Sequence, residues 1–313
     1  MTLFNRLNNK KSSKKGVVGI EVGDRGVAFA HLKLSPSLAL TSCNYLTAAD
    51  ETSIISTLRE DISSLHLENT PCNVALSTDD YALLLVEPPK VPENELRDAI
   101  QWKIKDLSPI PIEKAVIDVF RMPENAGSVG KGMVFTVVAK KAAVENLVSL
   151  VEGAGLKMNA IDIPELCLRN FALLQHSEQS MLIARLMSDN SQVTAISRGE
   201  LYLSRLFNFR YTGGVISEER AENLTLELQR SADYLRHQMH QPTPSQILLL
   251  GNGLQDRDLP ESINDNFSGE VKTLDISDAL PITAGVDRQV LNRCAIAIGA
   301  ALRDHVSTLG VNR

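Results

Sequence analysis

Aromatic residues make up only 4% of this 313-residue chain, its four cysteines stand far apart, and no apolar run approaches the ~20 residues of a membrane span. Each scarcity excludes something. Few aromatics leave little surface for stacking nucleic-acid bases, and the charge agrees. The formal net charge is −6, and residues 1–15 carry Arg6, Lys10, Lys11, Lys14 and Lys15 without an acid, so −6 less that +5 leaves −11 on the remainder. An acidic body argues against a nucleic-acid-binding fold. Cys43, Cys72, Cys167 and Cys294 form no Cys-x-x-Cys pair, which reads as buried, reduced thiols rather than a disulfide or zinc framework. The N-terminus lacks the apolar core of a signal peptide, so a cytoplasmic location is expected. Neither a Gly-x-Ser-x-Gly elbow nor a His-Glu-x-x-His motif occurs.

What is present is a globular composition, 43% hydrophobic and 22% charged, long enough for two domains. Residues 1–15 read as a solvated basic tail, because the apolar Leu3, Phe4 and Leu7 bury too little area to hold a membrane surface. The organising stretch follows, Val17 to Leu34, with apolar strands on either side of Gly23-Asp24-Arg25-Gly26. A second strand, not a helix, follows these glycines, so this is neither a dinucleotide fingerprint nor a P-loop. It is a β-hairpin with a carboxylate, Glu21, just before its turn. Two readings of it stay open: an ordinary core hairpin, or the clamp by which sugar kinases, Hsp70-type chaperones and actins hold nucleotide phosphate.

Further along, a third strand near 38–46 and a helix over 49–66 complete the opening of an α/β domain, and a strand at 73–76 follows. Residues 81–153 then read as a βαββα insertion. Its first helix starts at Pro92, carries Glu93 and Glu95 at its positive end and Lys103 and Lys105 at its negative end, and buries Leu96, Ile100, Ile104 and Leu107. The run Gly127 to Gly132 has the wrong spacing for a phosphate loop and reads as a plain turn. Strands near 181–187, 192–197 and 201–207 repeat the opening meander, which suggests internal duplication. A long helix over 218–240 and a final helix over 289–305 follow. His237 and His240 read as favourable charge at a helix C-terminus rather than as metal ligands, and no metal site is expected.

Four stretches in order carry a family resemblance: Glu87 to Phe120; Gly153-Ala154-Gly155-Leu156-Lys157 running to Ile161-Asp162; Glu227 to Tyr234 (ELQRSADY); and Cys294 to Arg303 (CAIAIGAALR). Together they resemble the PilM-type actin-like proteins of type IV pilus assembly, and the length and altered motifs look most like the branch serving mannose-sensitive haemagglutinin (MSHA) pili. The resemblance implies an actin-like α/β fold of duplicated ribonuclease-H-like halves, the first formed by 16–80 and 154–178, the second by 179–313, with the small subdomain 81–153 inserted and a reduced second-half insertion. It also implies a cytoplasmic protein, peripheral at the inner membrane, that binds the short cytoplasmic N-terminal peptide of a PilN-type bitopic partner within a pilus assembly complex. Glu87, Lys90, Glu95 and Trp102 mark the expected partner-binding region, with Trp102 either capping the subdomain core or facing the partner.

Nucleotide-binding positions carried over from the family are Glu21, Gly23, Asp24, Arg25, Glu227, Arg230, Gly251 and Gly253. Several depart from the pattern. Glu21 stands where Asp is usual, and Asp24 would repel phosphate unless Arg25 compensates. In the second half, Arg185 and Met187 fall where an acid and a turn glycine belong, and a side chain there would block close approach of a phosphate to backbone. The second-half insertion that walls the adenine pocket is cut to a short connection. A non-catalytic scaffold with no required cofactor is the resulting expectation. The alternatives are an ATPase or nucleotide switch using ATP and magnesium, and the cytoplasmic domain of an L-type secretion protein. That last family continues into a membrane helix, which is not found before Arg313.

Overall fold

Val17–Gly23 (β1) and Gly26–Lys33 (β2) pair antiparallel, from Val17 opposite Leu32 to Gly23 opposite Gly26, in a computed structural model that describes residues 16–23, 26–47, 51–174, 179–287 and 290–306. The basic tail and the turn residues Asp24 and Arg25 lie outside the described residues. The first five residues of β1 are all buried, the signature of a strand covered on both faces. Ala39–Leu46 (β3) pairs antiparallel with β2, while Pro71–Ala75 (β4) runs parallel to β1 and Lys157–Asp162 (β8) parallel to β4. The sheet order is β3-β2-β1-β4-β8.

A second sheet repeats this plan. Ser180–Leu186 (β9), Ser191–Ser197 (β10), Glu200–Phe207 (β11), Gln246–Gly251 (β12) and Glu270–Thr273 (β13) lie in the order β11-β10-β9-β12-β13. Its strand directions match those of the first sheet, a meander followed by two parallel additions. The chain therefore has the expected actin-like α/β fold of two ribonuclease-H-like halves. The inserted element is an antiparallel sheet ordered β5-β7-β6, made of Tyr81–Val86 (β5), Ala115–Arg121 (β6) and Val134–Lys140 (β7).

Helices complete the layers. Glu51–Ser64 (α1), Leu96–Ile104 (α2), Lys141–Gly153 (α4) and Pro164–Leu174 (α5) follow the expected positions. Both α1 and α2 are shorter than their apolar spacing suggests. Leu65 and Leu107 fall beyond the helix ends and are exposed rather than buried. Gly127–Gly130 forms a helical turn (α3) rather than a plain loop. Glu218–His237 (α6) ends before His240, Ile276–Ala279 (α7) is short, and Ala295–Val306 (α8) closes the described chain.

The described residues divide into two compact units, one drawn from 16–121, 133–170 and 280–306 and the other from 122–132 and 171–279. This differs from the sequence expectation at three places, one being that the end of α5 from Phe171, expected in the first half, falls in the second unit. The α8 segment joins the first unit, not the second half, because it packs on β1, β2 and β4. Residues 122–132 leave the inserted subdomain and join the second unit, where Asn125 accepts the Tyr202 hydroxyl at 2.6 Å and its carbonyl accepts Gln241 at 2.8 Å. Gly127 there has φ +61, and a Cβ would collide with the carbonyl oxygen of Gln238.

The seating of α8 explains its small residues. A Cβ on Gly19 of β1 would strike the Ala297 carbonyl, and a Cβ on Gly299 would strike that of Cys167. Two glycines thus let one helix approach both a strand and a helix at backbone distance. Because side chains alternate along β1, Val18, Ile20 and Val22 face the opposite layer, where α1 and α4 supply Leu58, Ile62, Leu147 and Val151.

Candidate functional site

In the first unit, the C-terminal ends of β1 and β8 carry Glu21 and Asp162, both buried, and the first turn of α5 adds Glu165. Glu21 shares the face of Gly19, the face that α8 covers. From α8, Arg303 donates to Asp162, and both side chains are buried. The other Asp162 oxygen accepts the Ile163 amide at 3.0 Å. Glu165 accepts the Tyr81 hydroxyl at 2.6 Å, which ties the first strand of the insertion to α5.

Cys167 sits among these charges. Burial pushes its thiol pKa well up, the carboxylates of Asp162, Glu21 and Glu165 add to the rise, and Arg303 opposes it. A neutral, inert thiol follows. An amide network fixes the far side of α8: Asn73 donates to the Ala300 carbonyl at 3.0 Å and to Asp304 at 3.2 Å, and Asn159 donates to Asn73 at 2.7 Å and Asp304 at 3.0 Å. Among the described residues, no group of three or more His, Cys, Asp or Glu side chains is arranged to hold a metal ion.

In the second unit, strand register identifies the counterpart of Glu21. Glu21 lies opposite Ala28 on β2 and beside Ala75 on β4; Arg185 lies opposite Gln192 on β10 and beside Leu250 on β12. Six residues separate the members of each hairpin pair, so a cation occupies the place that an anion holds in the first unit. Met187 donates its amide to Ser191 Oγ at 3.3 Å and accepts the Tyr211 amide at 2.7 Å.

Tyr211 was not foreseen. Its side chain is buried, its hydroxyl donates to the Gly214 carbonyl at 2.9 Å, and its ring lies against Gly251, where a Cβ would stand 2.9 Å from a ring carbon. Burial raises its phenol pKa, Asp258 adds to this and Arg220 opposes it. Gly251 is therefore a glycine because an aromatic ring covers it. Gly253 has φ +72 with open space around it, so backbone angle alone requires glycine there. Glu227 is engaged from two sides, by Arg205 at 2.7 Å and Arg230 at 2.6 Å. Arg205 also reaches the Glu227 carbonyl at 2.8 Å and Ser231 Oγ at 3.1 Å.

The sequence-predicted nucleotide residues thus divide, Glu21 and Gly23 in the first unit and Glu227, Arg230, Gly251 and Gly253 in the second. Of the expected partner-binding residues, Glu87 lies 3.4 Å from Lys103, and Lys90 and Glu95 are exposed. Trp102 is 77% exposed, so it does not cap the subdomain core, which Leu96, Ile100 and Ile104 form with Val86, Val119, Val134 and Val138. Nearby, buried Asp118 on β6 lies 3.5 Å from Arg97 and accepts the Val119 amide at 3.0 Å.

No family model and no curated protein matches the chain. Solved structures do. A PilM–PilN type IV pilus biogenesis complex matches with a TM-score of 0.71 at 18% identity, covering 93% of this chain and 98% of that one. The cytoplasmic domain of EpsL, an inner-membrane component of the type II secretion system of Vibrio cholerae, matches with a TM-score of 0.55 at 11% identity, covering 95% and 96%. These likenesses establish a shared fold. Among the described residues, no helix is long and apolar enough to cross a membrane.

Proposed function

We propose that this chain is a non-catalytic, actin-like assembly protein of type IV pilus biogenesis, of the MSHA class, that serves as a cytoplasmic scaffold. It holds the cytoplasmic N-terminal peptide of a PilN-type bitopic protein and is peripheral at the inner membrane through that partner. The likeness to the PilM–PilN complex, running nearly the full length of both chains, carries this reading. An extended peptide in a groove gains affinity from backbone hydrogen bonds and specificity from side-chain pockets. The exposed face of α2 carries Trp102, with Glu95 at the helix N-cap, and supplies an aromatic anchor of the kind such contacts use.

No cofactor is required in this reading. ATP with magnesium is the ligand the fold suggests, and the second unit favours its absence: Tyr211 lies over Gly251, Arg185 takes the register place of an acid, and Glu227 is paired with arginines. Phosphoryl transfer depends on positioning by all such parts together. The retained carboxylate of Glu21 supports the competing nucleotide-switch reading, and calorimetric titration with ATP and magnesium separates the two. Saturable binding tighter than about 0.1 mM, roughly 5.5 kcal/mol, would decide for the switch.

The scaffold is tested by titrating the folded chain with a synthetic peptide covering the cytoplasmic segment of the co-encoded bitopic protein. Micromolar binding, about −8 kcal/mol, is expected. No binding would sink the proposal. The likeness to the EpsL domain favours a second reading, a cytoplasmic component of type II secretion. A deletion strain that loses pili while keeping secretion intact decides against it.

A further inference from the structure

Of the four cysteines, two lie together. Cys43 is in β3, an edge strand of the first sheet, and Cys294 immediately precedes α8. The chain approaches α8 along that edge: Leu40 donates to the Pro281 carbonyl at 2.9 Å and accepts the Thr283 amide at 2.9 Å. The Cys294 sulfur then reaches the Asn44 carbonyl at 3.3 Å, the residue that follows Cys43 on β3, which brings the two thiols within reach of each other. Arg293 lies over the Tyr45 ring at 5.1 Å, so two successive residues before α8 dock on successive side chains of β3. Cys72 and Cys167 are fully buried, and the Cys72 thiol donates to the carbonyl of its own neighbour Asn73 at 3.8 Å.

From this juxtaposition we infer that Cys43 and Cys294 form a reversible disulfide that staples the edge strand β3 to the start of α8. Cys43 is the attacking thiol because it is 8% exposed while Cys294 is 0% exposed. The nearby Cys294 thiol also lowers the Cys43 pKa, against the effect of burial and of Asp287. With hydrogen peroxide as oxidant, the Cys43 thiolate attacks one oxygen and the O–O bond breaks, which gives a sulfenic acid and hydroxide. The Cys294 sulfur then attacks the sulfenyl sulfur, the S–O bond breaks, and the Cys294 proton leaves with the departing hydroxide as water. Two thiols and one peroxide yield one disulfide and two waters.

The staple joins positions far apart in sequence, so it closes most of the chain into one loop and restricts the unfolded ensemble strongly. Its structural effect falls on α8, which carries Arg303 to Asp162 and seats on Gly19. Treatment of the full chain with peroxide should remove two hydrogens in the intact mass. A non-reducing peptide map should show Cys43 linked to Cys294, with Cys72 and Cys167 still alkylated after unfolding. Oxidised wild type should unfold at a higher temperature than reduced, dithiothreitol should reverse the shift, and Cys43→Ser should show no shift. Cys294→Ser should trap Cys43 as a sulfenic acid that reacts with dimedone. Recovery of both thiols unlinked, or oxidation of Cys43 to a sulfinic acid without linkage, would overturn the inference. So would an oxidation-dependent shift that persists in Cys43→Ser.

Discussion

Arg303 and Asp162 form an ion pair with both side chains buried, joining α8 to the end of β8 across 141 positions of sequence. Removing one member leaves the other charged and buried. Arg303→Leu is therefore expected to cost about 3–5 kcal/mol, read from urea unfolding midpoints. Replacing both members, in Arg303→Leu with Asp162→Leu, removes the stranded charge and should cost less than the single change. Additive losses would show that the two residues act separately.

The first hairpin and both meanders were legible because apolar strands and glycine turns are local patterns. Arg185 as the counterpart of Glu21 followed from the family resemblance rather than from local pattern, and strand register gives the same pairing. The covering of the first sheet by α8 was not legible. CAIAIGAALR reads as a one-sided apolar helix, yet Ala295 to Arg303 is buried throughout. The reason lies in Gly19 and Gly299, whose fit appears only once strand, helix and helix are seated together. Tyr211 over Gly251 escaped notice for the same reason, as a non-local contact that makes a glycine look like a nucleotide loop.

Tyr211 and Gly251 should behave as a coupled pair. A methyl group at position 251 meets the ring at 2.9 Å, so Gly251→Ala should cost about 1–3 kcal/mol in the wild-type background. In Tyr211→Ala the ring is gone, the Leu254 Cβ at 3.3 Å is the remaining close neighbour, and the same methyl group should cost clearly less. A double-mutant cycle on unfolding midpoints measures the difference. Equal costs in both backgrounds would mean that the glycine is required for something other than the tyrosine.

Asp118 gives a pH dependence with a definite sign. Burial raises its pKa above the ordinary 3.8, with Arg97 and the Val119 amide opposing. The folded chain then holds this proton more tightly than the unfolded chain. The stability it contributes is present at low pH and is lost as pH rises from 3.8 through the raised value. Asp118→Asn keeps an oxygen for the Val119 amide and removes the titration. Its unfolding midpoint should fall less than that of wild type as pH rises through this acidic window. Parallel curves for the two proteins would contradict the assignment.

Trp102 separates folding from binding. At 77% exposure its side chain contributes little to the subdomain core, and Trp102→Ala should leave the unfolding midpoint within about 0.5 kcal/mol of wild type. Ile100, two positions earlier and fully buried, should cost about 2–5 kcal/mol on truncation to alanine. If α2 presents Trp102 to the partner, Trp102→Ala should weaken binding of the PilN-type peptide at least tenfold, about 1.4 kcal/mol, while the fold stays intact. Unchanged affinity would move the peptide groove away from the outer face of α2. It would leave the edges of the inserted sheet, β5 and β6, each hydrogen-bonded within that sheet to β7 alone, as the next surface to test.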